Sequence, residues 1–402
     1  MPMWIEWTIA TQFLREDKAQ STLILVGIGV GVAVIVFLTA LITGLQGNII
    51  ERTLGTQAHI RVQPTEEVNR ILAPADGAVQ LVLENKRAQR LRSINNWQQV
   101  RDVLDTLPQV SAVSPVISGP AFARRGEALE SVALIGIDAE RYQRIIPIQD
   151  DVIAGVFRIG AGDTVIGKQL AADLGLRVGD KLRLDGGQGR DSVVNVAGIF
   201  ELGVRELDAR YVYLDMKQAQ ALLDLPGAAT LIDVTVDDIF SAQQVAARIA
   251  RLTGLKAESW MDTNAQLMNA LRSQSLSTQM ISVFVALSVA LGIASVLSVS
   301  VVQRTREIGI LRAMGTTREQ MLGVFLVQGA LFGLSGSLLG GLAGWGLVGA
   351  FNTFGPKLFY IPVDPWLPVA AALLATVTGI VSAAIPARRA AGLDPVAAIR
   401  HA

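Results

Sequence analysis

Four stretches of this chain are too long and too apolar for an ordinary soluble fold. Residues 19–50, 273–303 and 320–356 carry no charged side chain, and residues 365–387 form a fourth apolar run. A helix needs about 20 apolar residues to cross a bilayer. The first run has its apolar core at residues 23–45, longer than the roughly 7–15-residue apolar region of a signal peptide. It therefore reads as a retained span. The mean hydropathy of +0.42 agrees with four membrane-crossing helices.

Charge is segregated accordingly. Of the 35 basic and 35 acidic residues, 53 lie between Glu51 and Arg272. Short loops report orientation, because basic residues are retained on the cytoplasmic side. The loop at 304–319 holds four arginines against two glutamates, and the C-terminal tail holds Arg388, Arg389 and Arg400 against Asp394. Both read as cytoplasmic. The expected division is an N-terminal helix and first span at 1–50, an extracytoplasmic domain at 51–272, and three spans with a cytoplasmic tail at 273–402.

At the N-terminus, Trp4, Trp7, Ala10 and Leu14 fall on one helical face. Tryptophan favours the headgroup level, so this segment reads as a lateral interfacial helix. The 51–272 domain mixes strand and helix signals, giving an α+β class. Strands are expected near 58–62, 110–117, 131–137 and 193–200, with a hairpin turn at 124–127. Asn96, Asp215 and Ser241 are placed to cap helices, Ser241 in a capping box with Gln244. The polar stretch 66–92 reads as a loop.

Several function classes are excluded. There is no cysteine for a disulfide, thiolate metal site or nucleophile, and only His59 and His401 could supply imidazole. Net charge is zero without a long basic run, so nucleic acid is not an expected partner. Gly162 to Gln169 matches seven positions of the phosphate-binding G-x-x-x-x-G-K-[ST] pattern. Gln169 stands where a magnesium-holding hydroxyl is needed. The segment reads as strand, so the chain has no ATPase of its own. No metal or cofactor site and no catalytic residue is expected.

The stretch 303–321, Q-R-T-R-E-I-G-I-L-R-A-M-G-T-T-R-E-Q-M, reads as a helical continuation of the second span into the cytoplasm. Ile308, Leu311 and Met314 share a face, Gly315 suits a helix end, and Thr316 with Glu319 forms a capping box for the third span. A solvated loop and a docking surface are equally compatible with that pattern.

This run resembles the cytoplasmic segment of the FtsX-like, MacB-type ABC transporter permeases. The tail P-A-R-R-A-A followed by D-P-V-A-A-I-R (386–400) resembles that family's C-terminus. The stretches V-I-G-K-Q-L-A-A-D-L-G-L-R-V-G-D-K (165–181) and V-A-G-I-F-E-L-G (196–203) are similar to the lipoprotein-releasing (LolC/LolE-type) branch. So is E-L-D at 206–208. The resemblance covers nearly the whole chain. It implies a type VII-like permease with four spans and a large α+β domain between the first and second. It also implies a second permease chain, as homo- or heterodimer, and two copies of an ATPase subunit that bind ATP and magnesium. The expected substrate is a lipoprotein or other lipid-anchored amphiphile, drawn from the outer leaflet of the bacterial inner membrane. Arg304, Arg306, Glu307, Ile308, Leu311, Arg312, Met314 and Gly315 would couple the permease to the ATPase.

One departure stands out. The branch resembled uses a protruding hairpin to recruit a periplasmic carrier, and here only residues 185–192 fill that interval. Carrier capture by a partner chain, or a different amphiphile such as a glycolipid, peptide or macrolide, stays open. So does a non-transporting transmitter that regulates an external partner. A membrane-anchored sensor or enzyme is a further class, without a supporting motif. Glycines at spacings of three and four, Gly27 and Gly31 in the first span and Gly333, Gly336, Gly340 and Gly344 in the third, allow close helix approach. They would serve packing within the chain or between two permeases. The span cores carry no charge, which argues against an ion or proton relay.

Overall fold

The computed structural model describes residues 4–16, 18–65, 91–187, 189–356, 359–362 and 364–393. The expected C-terminal helix start at Asp394 and most of the 66–92 loop lie outside these residues. In chain order, α1 (Trp4–Glu16) and α2 (Lys18–Leu54) precede β1 (Ile60–Gln63), α3 (Trp97–Asp105), β2 (Val110–Arg125) and β3 (Ala128–Ile137). Next come α4 (Ala139–Tyr142), β4 (Val152–Gly155), β5 (Asp163–Gly167), α5 (Lys168–Asp173), β6 (Lys181–Asp185) and β7 (Asp191–Phe200). They are followed by α6 (Arg205–Arg210), β8 (Tyr211–Asp215), α7 (Met216–Leu222), β9 (Leu231–Val236), α8 (Ala242–Thr253), β10 (Lys256–Ser259) and α9 (Trp260–Thr263). The chain ends with α10 (Ala265–Gln303), α11 (Thr305–Ala313), α12 (Arg318–Phe354) and α13 (Trp366–Ala391). Two compact units result: residues 1–50 with 269–402, and residues 51–268.

In the first unit, α2, α10, α12 and α13 are each long and apolar enough to cross a membrane. In a bilayer there is no water to satisfy the backbone, which makes the helix the natural form for such runs. The core of the bundle is built from Ile28, Val32, Ile293, Leu297, Phe325 and Phe332. Polar contacts reinforce the α2–α10 pair: the Gln46 amide donates to Leu271 O at 3.3 Å and to Ser275 Oγ at 3.2 Å. The N-terminal segment forms the separate helix α1, packed on α12 through Ala10, Phe13 and Val324. Trp7 is exposed while Ala10 is buried.

In the second unit the described strands make one mixed sheet, ordered β10-β1-β9-β2-β3-β8-β5-β7-β4, with β6 pairing β2 and β7. Side chains alternate across a strand, so the sheet can bury both faces. Ile117, Leu134, Val212 and Leu214 enter one core, and Val116, Ile135 and Tyr213 enter the other. The β2–β3 hairpin turns at Gly126, whose φ of 59° suits a residue without Cβ.

Two caps differ from expectation. Neither Asn96 nor Ser241 makes a side-chain cap hydrogen bond. The Ser241 hydroxyl instead donates to Asp238 O at 2.7 Å, within a preceding turn. The Asp215 carboxylate does accept from Lys217 N at 3.0 Å. The interval between β6 and β7 is a short turn, closed by Gly186 N donating to Arg190 O at 2.9 Å.

Candidate functional site

The turn between the second and third spans is not a straight extension of the second. α10 stops at Gln303, and Arg304 takes φ −102° and ψ 17° before α11 begins. Arg304 is held by a residue far away along the chain. Arg304 is 6% exposed, with its guanidinium carbon 4.5 Å from the Phe13 ring centroid. Its Nη2 donates to Phe13 O at 3.4 Å and its Nη1 pairs with Glu307 at 3.3 Å. The break between the two helices thus falls at the residue whose cation is held against α1.

α11 ends in a Schellman turn. Gly315, at φ 105°, donates to Arg312 O at 3.1 Å, and Thr316 N donates to Leu311 O at 3.2 Å. These satisfy carbonyls that a helix end leaves bare. The following cap is one residue later than expected. Thr317 Oγ1 accepts from Gln320 N, and the Gln320 side chain accepts from Thr317 N. The two neighbouring registers, Thr316 with Glu319 and Thr317 with Gln320, fit the same motif. Thr316 is used by the Schellman turn, where its hydroxyl also bonds Leu311 O at 2.8 Å.

The residues expected to couple to an ATPase divide into two sets. Ile308 is fully buried in the bundle core, and Leu311 packs against it and against α1. Arg312 donates to the carbonyls of Ala391 and Leu393, tying α11 to the end of α13. With Arg304, these residues attach α11 to its own chain. Arg306, Glu307, Ile310, Met314 and Gly315 stay exposed, Met314 at 72%. Arg306, Ile310 and Met314 follow one another at intervals of four, a single helical stripe. The sequence-level stripe of Ile308, Leu311 and Met314 is thus mostly an inward face. Ile310 joins this exposed set and was not among the expected residues. Only the exposure of its flank distinguishes it.

The glycines meet neighbours in the same chain. A Cβ on Gly336 would lie 2.6 Å from Ile28, on Gly340 2.4 Å from Gly29 O, and on Gly344 3.0 Å from Val36, all against α2. Gly333 faces Ala375 O of α13 at 2.6 Å, and Gly31 faces Val289 of α10 at 2.8 Å. Gly27 meets nothing within 4 Å, and Gly29 occupies the close approach instead. Gly27 opens onto a cleft of about 570 Å³ between α2 and α10, walled by Leu23, Ile281, Phe284, Val285 and Ser288. Much of α10 is left uncovered within the chain, including Met280, Val283, Phe284, Leu287 and Leu291.

In the second unit, Gly162 to Gln169 forms β5 and the start of α5, and Lys168 pairs with Glu201 at 2.8 Å. A Cβ on Gly167 would lie 2.1 Å from Asp208 O, so this glycine lets the end of β5 approach α6. Asp233 is buried, with its carboxylate 3.2 Å from Arg61 Nε. Burial pushes the Asp233 carboxyl up, and the guanidinium pulls less strongly the other way. No cluster of potential metal ligands occurs among the described residues.

Four helices long and apolar enough to cross a membrane, beside a separate α+β unit in the chain, define a multi-pass membrane protein. The description "MacB-like periplasmic core domain" matches residues 21–252, and "FtsX-like permease C-terminal" matches residues 279–395. The chain belongs to this MacB-like, FtsX-like family of ABC transporter permeases. It is similar to the lipoprotein-releasing system transmembrane protein LolC of Xylella fastidiosa strain 9a5c, at 27% identity over 94% of this chain and 92% of that one. It is similar to LolE of Haemophilus influenzae at 25% identity over 75% and 80%. Likeness to the macrolide export ATP-binding/permease protein MacB of Acinetobacter baylyi is 26% over 74% of this chain and 47% of that one. The crystal structure of the periplasmic region of MacB from Actinobacillus actinomycetemcomitans aligns at TM-score 0.36 and 14% identity. That alignment covers 54% of this chain and 95% of that one.

Proposed function

We infer that the chain is the membrane subunit of a lipoprotein-releasing type of ABC transporter. In this reading a second permease chain pairs with it, and two ATPase subunits beneath supply ATP hydrolysis. Both termini are cytoplasmic, and the 51–268 unit faces the periplasm. The observation that carries the reading is the exposed stripe of Arg306, Ile310 and Met314 on α11. A capped helix held at both ends presents a cation and two apolar side chains, the pattern of a helix that fits a groove on another protein. The apolar cleft between α2 and α10 supports an amphiphilic substrate, since its lining suits acyl chains.

The test is to purify the chain in mild detergent with the products of neighbouring genes and to identify them by mass spectrometry, lipids included. An ATPase and an acylated lipoprotein are expected. Ile310→Asp with Met314→Asp should abolish ATPase recovery while the permease stays folded. An ATPase accompanied only by a soluble external enzyme would favour a signal transmitter. Recovery of no ATPase would overturn the reading.

A further inference from the structure

A second apolar groove lies on the other side of the bundle, between α12 and α13. Its volume is about 830 Å³, inside the roughly 300–1,000 Å³ range of small-molecule pockets. The helices meet backbone to backbone at one end, where a Cβ on Gly329 would lie 2.4 Å from Gly379 O. They have diverged by Gly341, whose added Cβ would find only Pro368 at 3.7 Å. The opening is walled by Leu338, Leu342 and Trp345 of α12 and by Val369 and Leu373 of α13, all exposed.

Its rim differs from its floor. Tyr360 and Trp366, at 72% and 74% exposure, stand near its loop end, where aromatic rings with polar tips favour the headgroup level. The loop is fixed there by a paired amide clasp: Asn352 Nδ2 donates to Ile361 O and Ile361 N to Asn352 Oδ1, both at 3.0 Å. The nearby Ser337 and Thr376 hydroxyls are engaged with backbone carbonyls of their own helices. The groove therefore asks nothing polar of an occupant until its rim.

We propose that this groove is a binding site for one acyl chain of a membrane phospholipid, with the headgroup beside Tyr360 and Trp366. Both walls cross the bilayer, so acyl chains are the surrounding medium. A helix of another subunit fits less well. Helix–helix contacts in membranes favour small residues, and α12 turns its close-packing glycines toward α2 and toward the other end of α13. The groove's small residues, Ser337 and Gly341, are instead buried behind exposed Leu338, Leu342 and Leu373. This site is separate from the α2–α10 cleft and does not rest on the transport reading.

The test is native mass spectrometry of the intact chain, counting phospholipids retained during stepwise delipidation. The wild type should hold one lipid more than Gly341→Leu, which fills the floor, while Val381→Leu, exposed elsewhere on α13, should match the wild type. If Gly341→Leu does not fold, Thr376→Phe fills the groove from the opposite wall and is expected to show the same loss. Equal lipid retention in a folded groove-filled variant would overturn the proposal. So would a protein chain, in place of lipid, cross-linking to Leu342 in intact membranes.

Discussion

Arg304 and Phe13, 291 positions apart in sequence, are joined twice: by a guanidinium–ring contact at 4.5 Å and by a hydrogen bond to the Phe13 carbonyl. The contact fixes α1 to the break between α10 and α11. Phe13→Leu keeps an apolar side chain and removes the ring, so it should cost about 1–2 kcal/mol. Arg304→Lys should cost more, because an ammonium cannot reach both Phe13 and Glu307 in the same planar fork. Faster amide exchange in α1, with α12 and α13 unchanged, checks this.

Ile308 and Ile310 separate stability from docking. Ile308 is fully buried and Ile310 is 42% exposed. Ile308→Ala should destabilise the membrane unit by roughly 2–5 kcal/mol, lowering its melting temperature in detergent. Ile310→Ala should leave that temperature within experimental error and weaken ATPase co-purification. Equal thermal effects of the two changes would contradict the inward and outward assignment.

Gly340→Ala and Gly27→Ala make a matched pair. The first places a methyl 2.4 Å from Gly29 O, and the second places one in open space. Overpacking typically costs about 1–3 kcal/mol. The expected result is loss of monodisperse protein for Gly340→Ala and an unchanged elution profile for Gly27→Ala. A normal Gly340→Ala profile would show that α2 and α12 do not meet there.

The buried carboxyl of Asp233 predicts a pH dependence in the 51–268 unit. A carboxyl raised by burial holds its proton more tightly folded than unfolded. Its favourable contribution is complete below the ordinary carboxylate value, about pH 4. It is lost as pH rises through the higher folded value. Asp151 and Asp208 are raised in the same direction by burial. Thermal stability should therefore fall from acidic toward neutral pH in this window. Asp233→Asn should flatten part of that slope. An unaltered slope would assign it to the other two carboxyls.

The spans were legible because uncharged runs of that length have few alternatives to crossing a bilayer. The strands at 110–117, 131–137 and 193–200 were legible from their apolar patterns, although β2 continues to Arg125 past its exposed Phe122. What the sequence could not show was direction. An apolar stripe such as Ile308, Leu311 and Met314 looks the same whether it meets its own chain or another. The break at Arg304 was hidden because helical periodicity continues across it, and its cause lies in Phe13, far away along the chain. The choice of Thr317 over Thr316 as cap depended on a turn geometry that composition alone does not encode. Gly29, rather than Gly27, makes the close approach because the rotation of α2 about its axis is set by its partners.

The glycines of α12 have a mechanical consequence. Where Gly340 meets Gly29, and where Gly329 meets Gly379, main chain lies against main chain, with Val32 and Ala383 beside them. Two smooth surfaces can slip along one another without any rotamer having to change, whereas interlocked aliphatic side chains must ride over each other. At those two points α12 meets its neighbours with less to ride over than where Ile28 and Val36 seat beside Gly336 and Gly344. Small sliding movements of packed helices are one of the ordinary ways proteins change state. Any sliding of α12 would meet least side-chain resistance at these two points.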